Sequence, residues 1–403
     1  MTKNMTEGSP MKLILGFSIP MLFGMLFQQF YNLVDTMIVG KTLGVDALAG
    51  VGATSSINFM IIGFCMGVCG GFAIPVAQQF GAQKYEQLRR YVYNGYLLSV
   101  VFSIVLTALS VFFCRNILTV MRTPESIYEY AYAYIVIIFA GIPTVFLYNI
   151  VSSIIRALGD SKTPVIFLVF SAVLNIILDP LFIFGFHMGV RGAAVATIIS
   201  QFCSTVWVLR FLCGKKAVLN LKKSAFKISW KRVRDIVSLG MSGFFMAFTN
   251  SLVQVVCNAT LQTWGGDIYV GVMTVLNSVR DIFTMPVHGL TTGASPVMSF
   301  NYGEKAYDRV KKAIKFITAV CVIYTLAGWG ILKLMPEFFI RIFNSDPELL
   351  EKGVPALHIY FFGFCFMALQ FAGQSVFVAL GKAKKATFFS LLRKAIIVVP
   401  LTI

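Results

Sequence analysis

The sequence predicts an all-α polytopic membrane protein with two six-helix lobes. Three observations predict it: an apolar composition, a series of long apolar stretches and an internal repeat. Of the 403 residues, 57% are hydrophobic and 13% are charged, whereas soluble globular proteins carry about 25% charged residues. The stretches are continuously apolar, as in transmembrane helices, and they lack the short alternating pattern of outer-membrane β-strands.

Eleven apolar stretches are long enough to cross a bilayer, which takes about 20 residues in a helix. The first follows Lys3 and Lys12, but it is too long for a signal peptide and lacks a small-residue cleavage site, so we interpret it as a retained helix. The second and eighth are long enough to tilt or to extend beyond the bilayer. In chain order the stretches are 12–39, 48–79, 91–114, 130–156, 163–186, 190–213, 236–263, 268–300, 313–334, 355–380 and 386–403.

The chain repeats itself at one constant spacing, which takes Gly81 to Gly303 and Ser153 to Ser375 and which we call the repeat offset. The segment GAQKYEQLRRYV from Gly81 matches GEKAYDRVKKAI from Gly303, and SIIRALGDSK from Ser153 matches SVFVALGKAK from Ser375. Both matches fall in loops of the same polarity, so we expect halves of the same topology, related by a pseudo-two-fold axis along the membrane normal. Halves of the same topology need an even number of helices each, and six fits.

The repeat divides the chain into two lobes joined by a basic segment. We assign helices 1–6 to an N-lobe at 1–213, a cytoplasmic linker to 214–234 and helices 7–11 to a C-lobe at 235–403. By the repeat, Ile403 corresponds to Leu181 inside the fifth helix. We therefore expect the sequence to be a truncated form of a twelve-helix chain, ending after about 11 helices.

The charge distribution indicates a membrane orientation rather than nucleic-acid binding. The formal net charge is +17, and in a soluble protein that balance would suggest a nucleic-acid partner. Here most of the 34 basic residues fall in alternate loops, on the cytoplasmic side if the N-terminus is cytoplasmic. We expect a multi-pass protein of the cell's inner (plasma) membrane that contacts membrane lipid and no nucleic acid.

The sequence carries no motif of an enzyme or of a nucleotide-driven pump. The patterns GxxxxGK[ST], HExxH and GxSxG are absent, and the three histidines are scattered. The eight cysteines fall in or beside apolar stretches without metal-ligand spacing. We therefore expect no enzymatic activity, no cofactor and no metal centre, apart from a coupling ion.

Two carboxylates lie within apolar stretches, Asp35 in YNLVDTMIVG and Asp179 in LNIILDPLFIFG. An acid at the centre of a transmembrane helix costs roughly 2.5–3.5 kcal/mol on insertion scales, and such acids usually mark proton or ion paths. A carboxyl group held out of water takes up a proton more readily than one in solvent. The alternative is that each acid only hydrogen-bonds a neighbouring helix, and the presence of two in one half argues against it.

Polar neighbours accompany both acids. Asn175 precedes Asp179 by four residues, as Tyr31 precedes Asp35, and residues four apart share a helix face. Pro180 has no backbone N–H, so the carbonyl four residues before it loses its helical partner. A free carbonyl beside a carboxylate and an amide fits an oxygen site for a proton, a hydronium ion or Na⁺.

The second half has a different polar set. At the repeat offset the two acids correspond to Cys257 and Leu401, so we expect a one-sided ion site. Arg280 and Asp281 are adjacent, and we expect them to point to different faces of their helix and to need other partners. These polar residues either line a cavity or take part in the packing between helices. The candidates for the substrate cavity are Gln254, Asn258, Asn277, Arg280, Asp281 and Met285.

Five segments together are typical of one transporter family. They are FSIPMLFGMLFQQFYNLVDTMIVGKTLG at 17–44, IPVAQQFGAQ at 74–83, IIRALGDSKTP at 154–164, LNIILDPLFIFG at 174–185 and MGVRGAAVAT at 188–197. Through them the chain resembles, over essentially its whole length, the multidrug and toxic compound extrusion (MATE) transporters. The resemblance implies twelve helices in two lobes around a cleft that opens to alternate sides. It also implies export of cationic or lipophilic compounds in exchange for H⁺ or Na⁺, and hence a role in antibiotic resistance.

The resemblance further implies an ion-binding cluster in the N-lobe. The matching positions are Tyr31, Asp35, Asn149, Asn175, Asp179 and Thr197. Some family members carry an essential acid on the seventh helix, but the stretch 236–263 has none, so we expect coupling through the two N-lobe acids. We expect a monomer. The alternative function is a lipid-linked glycan flippase of the same superfamily, which would need a strongly cationic cavity, and Arg280 is the one clear buried base.

Overall fold

Every regular element in the described part of the chain is helical. The computed structural model describes residues 5–121, 123–212, 228–343 and 345–402, so residues 214–227 of the predicted linker lie outside the described residues. Two π-helical segments, Leu181–Gly185 and Leu392–Val398, follow α7 and α14 directly. The α-helices are α1 (Pro10–Leu43), α2 (Val45–Gly81), α3 (Tyr85–Phe112), α4 (Cys114–Val120), α5 (Glu125–Ala140), α6 (Ile142–Ala157), α7 (Lys162–Pro180), α8 (Val190–Leu212), α9 (Trp230–Gly303), α10 (Tyr307–Leu334), α11 (Pro336–Arg341), α12 (Pro347–Tyr360), α13 (Phe364–Ala379), α14 (Ala383–Leu391) and α15 (Val399–Thr402).

Within the described ranges, up to nine spans are long and apolar enough to cross a membrane. Two of them are bent pairs, α5 with α6 at 46° and α12 with α13 at 49°. The predicted stretch 268–300 and the described part of 386–403 are also helical, but they are not among the nine. The seven single spans are Pro10–Leu43, Asp46–Gly81, Tyr85–Phe112, Lys162–Gly185, Val190–Leu212, Trp230–Gly266 and Tyr307–Leu334.

The backbone shows the internal repeat. Shifted by the repeat offset, α3 coincides with α10 and α6 coincides with α13 at both ends. A break at Gly266 divides α9 into the predicted seventh and eighth helices. Left-handed backbone conformations also recur at this offset. The pairs are Gly44 (φ 86°) with Gly266 (φ 67°), Gln83 (φ 56°) with Lys305 (φ 65°), and Gly159 (φ 97°) with Gly381 (φ 72°).

The fourth and tenth predicted stretches are each interrupted near the middle. The expected single helix at 130–156 is broken between Ala140 and Ile142, where Pro143 falls in the first turn of α6. Proline is tolerated there because the first-turn N–H groups have no helical acceptor. The stretch 355–380 is broken at the equivalent place, after Tyr360. Both spans are therefore two short helices rather than one.

The chain packs into two compact units, each with its own core. The first is formed by Phe23–Phe244, and the second by Met5–Leu22 with Phe245–Ile403. In the first unit Phe64 packs edge to face against Phe146 and Phe244, with ring centroids 6.1 and 5.1 Å away. The second unit has a core of large apolar side chains. It includes Val279, Leu332, Ile340, Leu357, Phe361 and Phe364.

Each unit contains a close helix crossing at a glycine, and these two crossings are related by the repeat. In the first unit a Cβ on Gly71 would lie 2.5 Å from the backbone nitrogen of Gly240. In the second unit a Cβ on Gly293 would lie 2.6 Å from the Cα of Ser18. Small residues let two backbones approach this closely. The repeat offset relates Gly71 to Gly293 and Ser18 to Gly240, so the two crossings are equivalent.

Candidate functional site

The residues predicted for the ion site come from three helices of the first unit. Tyr31 and Asp35 lie on α1, Asn175 and Asp179 in the last two turns of α7, and Thr197 near the start of α8. Asn175 and Asp179 are both 0% exposed. The other three side chains are partly buried. The fold therefore brings five of the six predicted residues to one region of this unit.

A chain of hydrogen bonds joins these helices. Asn175 Nδ2 donates to Asp179 Oδ1 at 3.1 Å, as the four-residue spacing indicates, and lies 3.3 Å from Thr197 Oγ1. Thr197 Oγ1 donates to the carbonyl of Ala193 at 3.0 Å. The Tyr31 hydroxyl interacts with Thr197. The amide and the two hydroxyls thus fix the positions of α1, α7 and α8 around the acids.

The two acids themselves lie close together. The carboxyl groups of Asp35 and Asp179 are near enough to interact directly. Asp35 Oδ1, Asp179 Oδ2 and Asn175 Oδ1 are buried without a hydrogen-bond partner. Unpaired buried acceptors are costly, and two ionised carboxylates at this separation repel each other. The arrangement therefore offers oxygen ligands and uncompensated negative charge to one small cation.

The backbone changes character directly after Asp179. Helix α7 ends at Pro180, and the chain continues as a π turn over Leu181–Gly185. This turn closes with Phe186 N donating to the carbonyl of Leu181 at 3.1 Å. Such widened turns occur frequently at functional sites. The irregular backbone predicted from Pro180 thus lies next to the buried acid.

Tyr134 belongs to the cluster, although the sequence did not single it out. It lies on α5 with 6% of its side chain exposed, and it interacts with Tyr31 and with both acids. The sequence YEYAYAY around it places tyrosines at alternate positions. Nothing in that pattern indicates which tyrosine contacts another helix, so the signal was too weak to find it.

Asn149 is the sixth residue that the resemblance implied. It is buried on α6, and its Nδ2 donates to the carbonyl of Val145 at 2.8 Å. This bond ties the amide to its own helix. Its role in ion binding stays a prediction.

In the second unit the polar residues form a network around Arg280. Arg280 Nε and Nη2 donate to Asp281 Oδ1 at 3.1 and 2.9 Å, so the expectation that these neighbours point apart was wrong. The arginine side chain is long enough to fold across the adjacent carboxylate. Arg280 Nη1 donates to the Tyr360 hydroxyl at 2.9 Å, and that hydroxyl donates to Asn277 Oδ1 at 2.9 Å. Tyr360 was missed because it is far from Arg280 in the sequence.

The other candidates for the substrate cavity lie along α9. Gln254 is exposed, whereas Asn258 and Met285 are partly buried. Their contact with a substrate stays a prediction. Among the described residues, no group of three or more His, Cys, Asp or Glu side chains could hold a metal ion, and the cysteines in these ranges are free.

Comparison with known proteins decides the family. The MatE family model matches residues 20–181 and 244–403, which include both acids and the Arg280 network. This chain belongs to the MatE family. MatE proteins are multi-pass membrane transporters, and this chain has the helical architecture of the family and several apolar helices that could span a membrane.

The curated relatives carry transporter names. The chain is 27% identical to "Probable multidrug resistance protein YpnP" of Bacillus subtilis over 98% of this chain and 88% of that protein. It is 29% identical to "Probable multidrug resistance protein YoeA" of the same organism over 83% and 73%. A protein of Shewanella oneidensis named "FAD transporter" is 24% identical over 84% and 76%.

Solved structures share the MatE fold. An outward-facing MATE family transporter matches with a TM-score of 0.91 at 24% identity, over all of this chain and 90% of the other. A MATE structure in the bent conformation matches with a TM-score of 0.93 at 24% identity, over 99% and 89%. Together with the internal repeat, these matches confirm the predicted all-α, two-lobe architecture.

Proposed function

We propose that this MatE chain is a secondary antiporter that exports cationic or lipophilic drugs and toxic compounds by alternating access, coupled to H⁺ or Na⁺. The observation that carries the proposal is the pair Asp35 and Asp179, which lie together with unpaired oxygens inside an apolar unit. Acids at membrane depth that face a bundle interior are typical of proton and ion paths. The multidrug names of several relatives support the substrate class.

The geometry suggests how ion occupancy acts on the helices. Asp35 is on α1 and Asp179 is on α7, so each acid belongs to a different helix. A cation between them removes their repulsion, and its departure restores it. The packing of α1 against α7 then depends on the ion. A ligand can shift a conformational equilibrium only through such a difference in interaction between two states.

The cluster suits either coupling ion. Carboxylate, amide and hydroxyl oxygens can bind Na⁺, and the carboxylates alone can carry H⁺. Transport of ethidium in proteoliposomes, with pH and sodium gradients imposed separately, distinguishes the two. A gradient of the coupling ion drives export, and a gradient of the other ion does not. Export that neither gradient drives would contradict the antiport mechanism.

Neutral replacements of the acids test their role. We expect Asp35→Asn and Asp179→Asn to abolish most ethidium efflux in a pump-deficient host, because an amide cannot take up a proton and binds cations weakly. Asp308→Asn is the control, because Asp308 is exposed and pairs with Lys311, 3.7 Å away. Unchanged efflux in both membrane variants, at equal protein levels, would reject ion coupling through this pair.

The proposal includes a location and an organisation. We propose a monomer in the inner membrane with a cytoplasmic N-terminus, an N-lobe at 1–213 that carries the ion site and a C-lobe at 235–403 that contributes the substrate cavity. The protein acts as a transporter rather than an enzyme. It uses the coupling ion in place of a cofactor.

A further inference from the structure

One helix of the second unit has an outward face that is polar. The helix is the part of α9 that follows the break at Gly266, residues 267–303, which we call the C-terminal part of α9. The positions on this face recur every three or four residues, as on one side of a helix. They are Thr274, Ser278, Asp281, Met285, His288 and Thr292. Ser278 and Met285 are partly buried, and the other four are exposed. We call these six residues the polar face of α9.

The polar face differs from the surfaces that suit contact with lipid. The opposite side of the same helix belongs to the core, where Val272, Val279 and Leu290 are buried. In the middle of the next helix, over residues 316–331 of α10, the exposed side chains are all apolar. They are Ala319, Ile323, Leu326, Ala327 and Ile331. The outward face of α10 is therefore typical of a lipid-facing helix, and that of α9 is not.

The polar face lies at the depth of the membrane interior. At 1.5 Å per residue the C-terminal part of α9 is about 55 Å long, and Asp281 and His288 are each at least ~20 Å from either end. The hydrocarbon core of a bilayer is about 30 Å thick. The Asp281 side chain is 65% exposed, and an acid exposed to hydrocarbon at that depth is costly. This is the arrangement expected of a helix that lines a water-filled path.

Two aromatic rings meet on the polar face. The centroids of the His288 and Phe371 rings are 4.5 Å apart, and the ring planes are inclined at 66°. His288 is exposed, and Phe371 on α13 is partly buried. The two rings thus form a corner that is open on the His288 side, which we call the aromatic corner. Met285 precedes His288 by three residues on the same face, so its flexible thioether lies beside the corner.

The aromatic corner suits a flat aromatic ligand. A planar ring system can stack on one ring while its edge meets the other, and both arrangements are favourable between aromatic groups. A ring system with a positive charge gains further attraction from the faces of aromatic side chains. Methionine adapts to ligands of different outline, as a transporter of several compounds requires. The corner therefore selects for a planar aromatic group rather than for charge alone.

We propose that His288 and Phe371 form a subsite for the planar aromatic part of an exported cation, on a water-lined face of the second unit. Met285 completes the subsite as an adaptable neighbour. The proposal rests on the export function proposed above and names a substrate class for it, flat aromatic cations such as ethidium. The alternative is that His288 only packs against Phe371 and contacts no substrate.

Ethidium binding to the purified full chain in detergent tests the subsite without any ion gradient. We expect His288→Ala and Phe371→Ala each to weaken binding, followed by ligand fluorescence, by on the order of tenfold, the scale of one lost aromatic contact. His288→Phe keeps a flat ring at this position, so we expect it to retain the affinity of wild type. Unchanged affinity in both alanine variants would overturn the proposal, and so would equal losses in His288→Ala and His288→Phe.

Two matched substitutions control for the loss of a ring elsewhere in the same unit. Phe366 lies on α13, as Phe371 does, and it is 68% exposed. His358 is an exposed histidine on α12. We expect Phe366→Ala and His358→Ala to bind ethidium as wild type does. Losses as large as those in the His288 and Phe371 variants would show that the effect is not specific to the aromatic corner, and the subsite would be rejected.

Reaction of introduced cysteines tests whether the polar face borders water. In a cysteine-free background we expect Thr274→Cys and Thr292→Cys to react with a water-soluble methanethiosulfonate, because the thiolate is the reacting form. Ile323→Cys, on the apolar face of α10, stays unreactive. Ethidium slows the reaction at Thr292, one turn from His288, more than at Thr274, four turns away. Equal reactivity at all three positions, or equal protection by ethidium at Thr274 and Thr292, would contradict the proposal.

The subsite and the proposed export function fail in different ways. If the His288 and Phe371 variants lose ethidium affinity but no gradient drives export by wild type, the export function fails and the subsite stands. If a gradient drives ethidium export and the alanine variants keep the affinity of wild type, only the subsite fails.

Discussion

The two acids of the ion site have unequal surroundings. Asp179 is fully buried and accepts a hydrogen bond from Asn175, whereas Asp35 is partly buried on a different helix. Asp179 therefore depends on protein partners alone when it is ionised. Tyr134 is the remaining hydroxyl that interacts with both acids. Its hydroxyl can therefore be removed to test the cluster without touching a charge.

We expect Tyr134→Phe to reduce ethidium efflux by on the order of tenfold, because it removes a buried hydroxyl that lies within electrostatic range of both acids and keeps the packed ring. Tyr148→Phe is the matched control. The Tyr148 hydroxyl donates to the carbonyl of Pro164 at 2.9 Å, so this variant loses a hydrogen bond in the same unit but none at the acids. Efflux by Tyr134→Phe equal to that of wild type would remove Tyr134 from the mechanism.

For single residues, the sequence predicts contacts within one helix but not contacts between helices. The bond between Asn175 and Asp179 follows from their four-residue spacing, because one turn of helix brings them together. The contacts of Tyr134 and Tyr360 depend on which helices pack side by side, and spacing carries no information about that. The spacing argument failed for Arg280 and Asp281. Helix geometry points their Cβ atoms in different directions, but the long arginine side chain still reaches the neighbouring carboxylate.

At the scale of helices, apolar composition located the elements but not their ends or breaks. Helix α3 begins at Tyr85, ahead of the predicted start at 91, because its first turns are polar and still helical. The breaks after Ala140 and Tyr360 were missed, because a short break does not interrupt an apolar run. Apolar composition indicates how favourably a segment enters the membrane. It carries no information about a bend within that segment, such as the 46° bend between α5 and α6.

The glycine crossings are testable at the same scale. We expect Gly293→Ala to destabilise the protein by about 1–3 kcal/mol, because its Cβ would overlap the backbone of Ser18 and the helices would have to separate. Gly330→Ala is the control, since a Cβ on Gly330 meets nothing within 4 Å and alanine favours the helix. Thermal unfolding in detergent measures both. Equal midpoints would show that the second unit adapts to the extra methyl group.

At the scale of the whole chain, two-fold repetition governs the backbone and not the charges. Helix ends and left-handed residues recur at the repeat offset, but the acids Asp35 and Asp179 correspond to Cys257 and Leu401 in the second half. The repeat was visible in the sequence because loop segments such as those at Gly81 and Gly303 keep their residue types. The one-sided placement of the acids was visible there as well, because neither acid has an acidic counterpart at the repeat offset.

Membrane orientation is the prediction that belongs to the whole molecule. In a cysteine-free background, we expect Lys311→Cys to react with an impermeant maleimide only after the cells are opened, and Arg341→Cys to react in intact cells, because positive loops stay cytoplasmic. Both positions are exposed, so access to the reagent is not limited by the fold. The reverse pattern would require a periplasmic or extracellular N-terminus.

The matched turns at Gly44 and Gly266 have a consequence for protein engineering. Since both halves bend at the same places, a chimaera that joins two copies of the segment from Met1 to Lys222 has compatible turns throughout. Such a chain would carry two copies of the Asp35 and Asp179 pair, where this chain carries one. Its capacity to move ethidium would show that the side chains of the first half can also work in the place of the second.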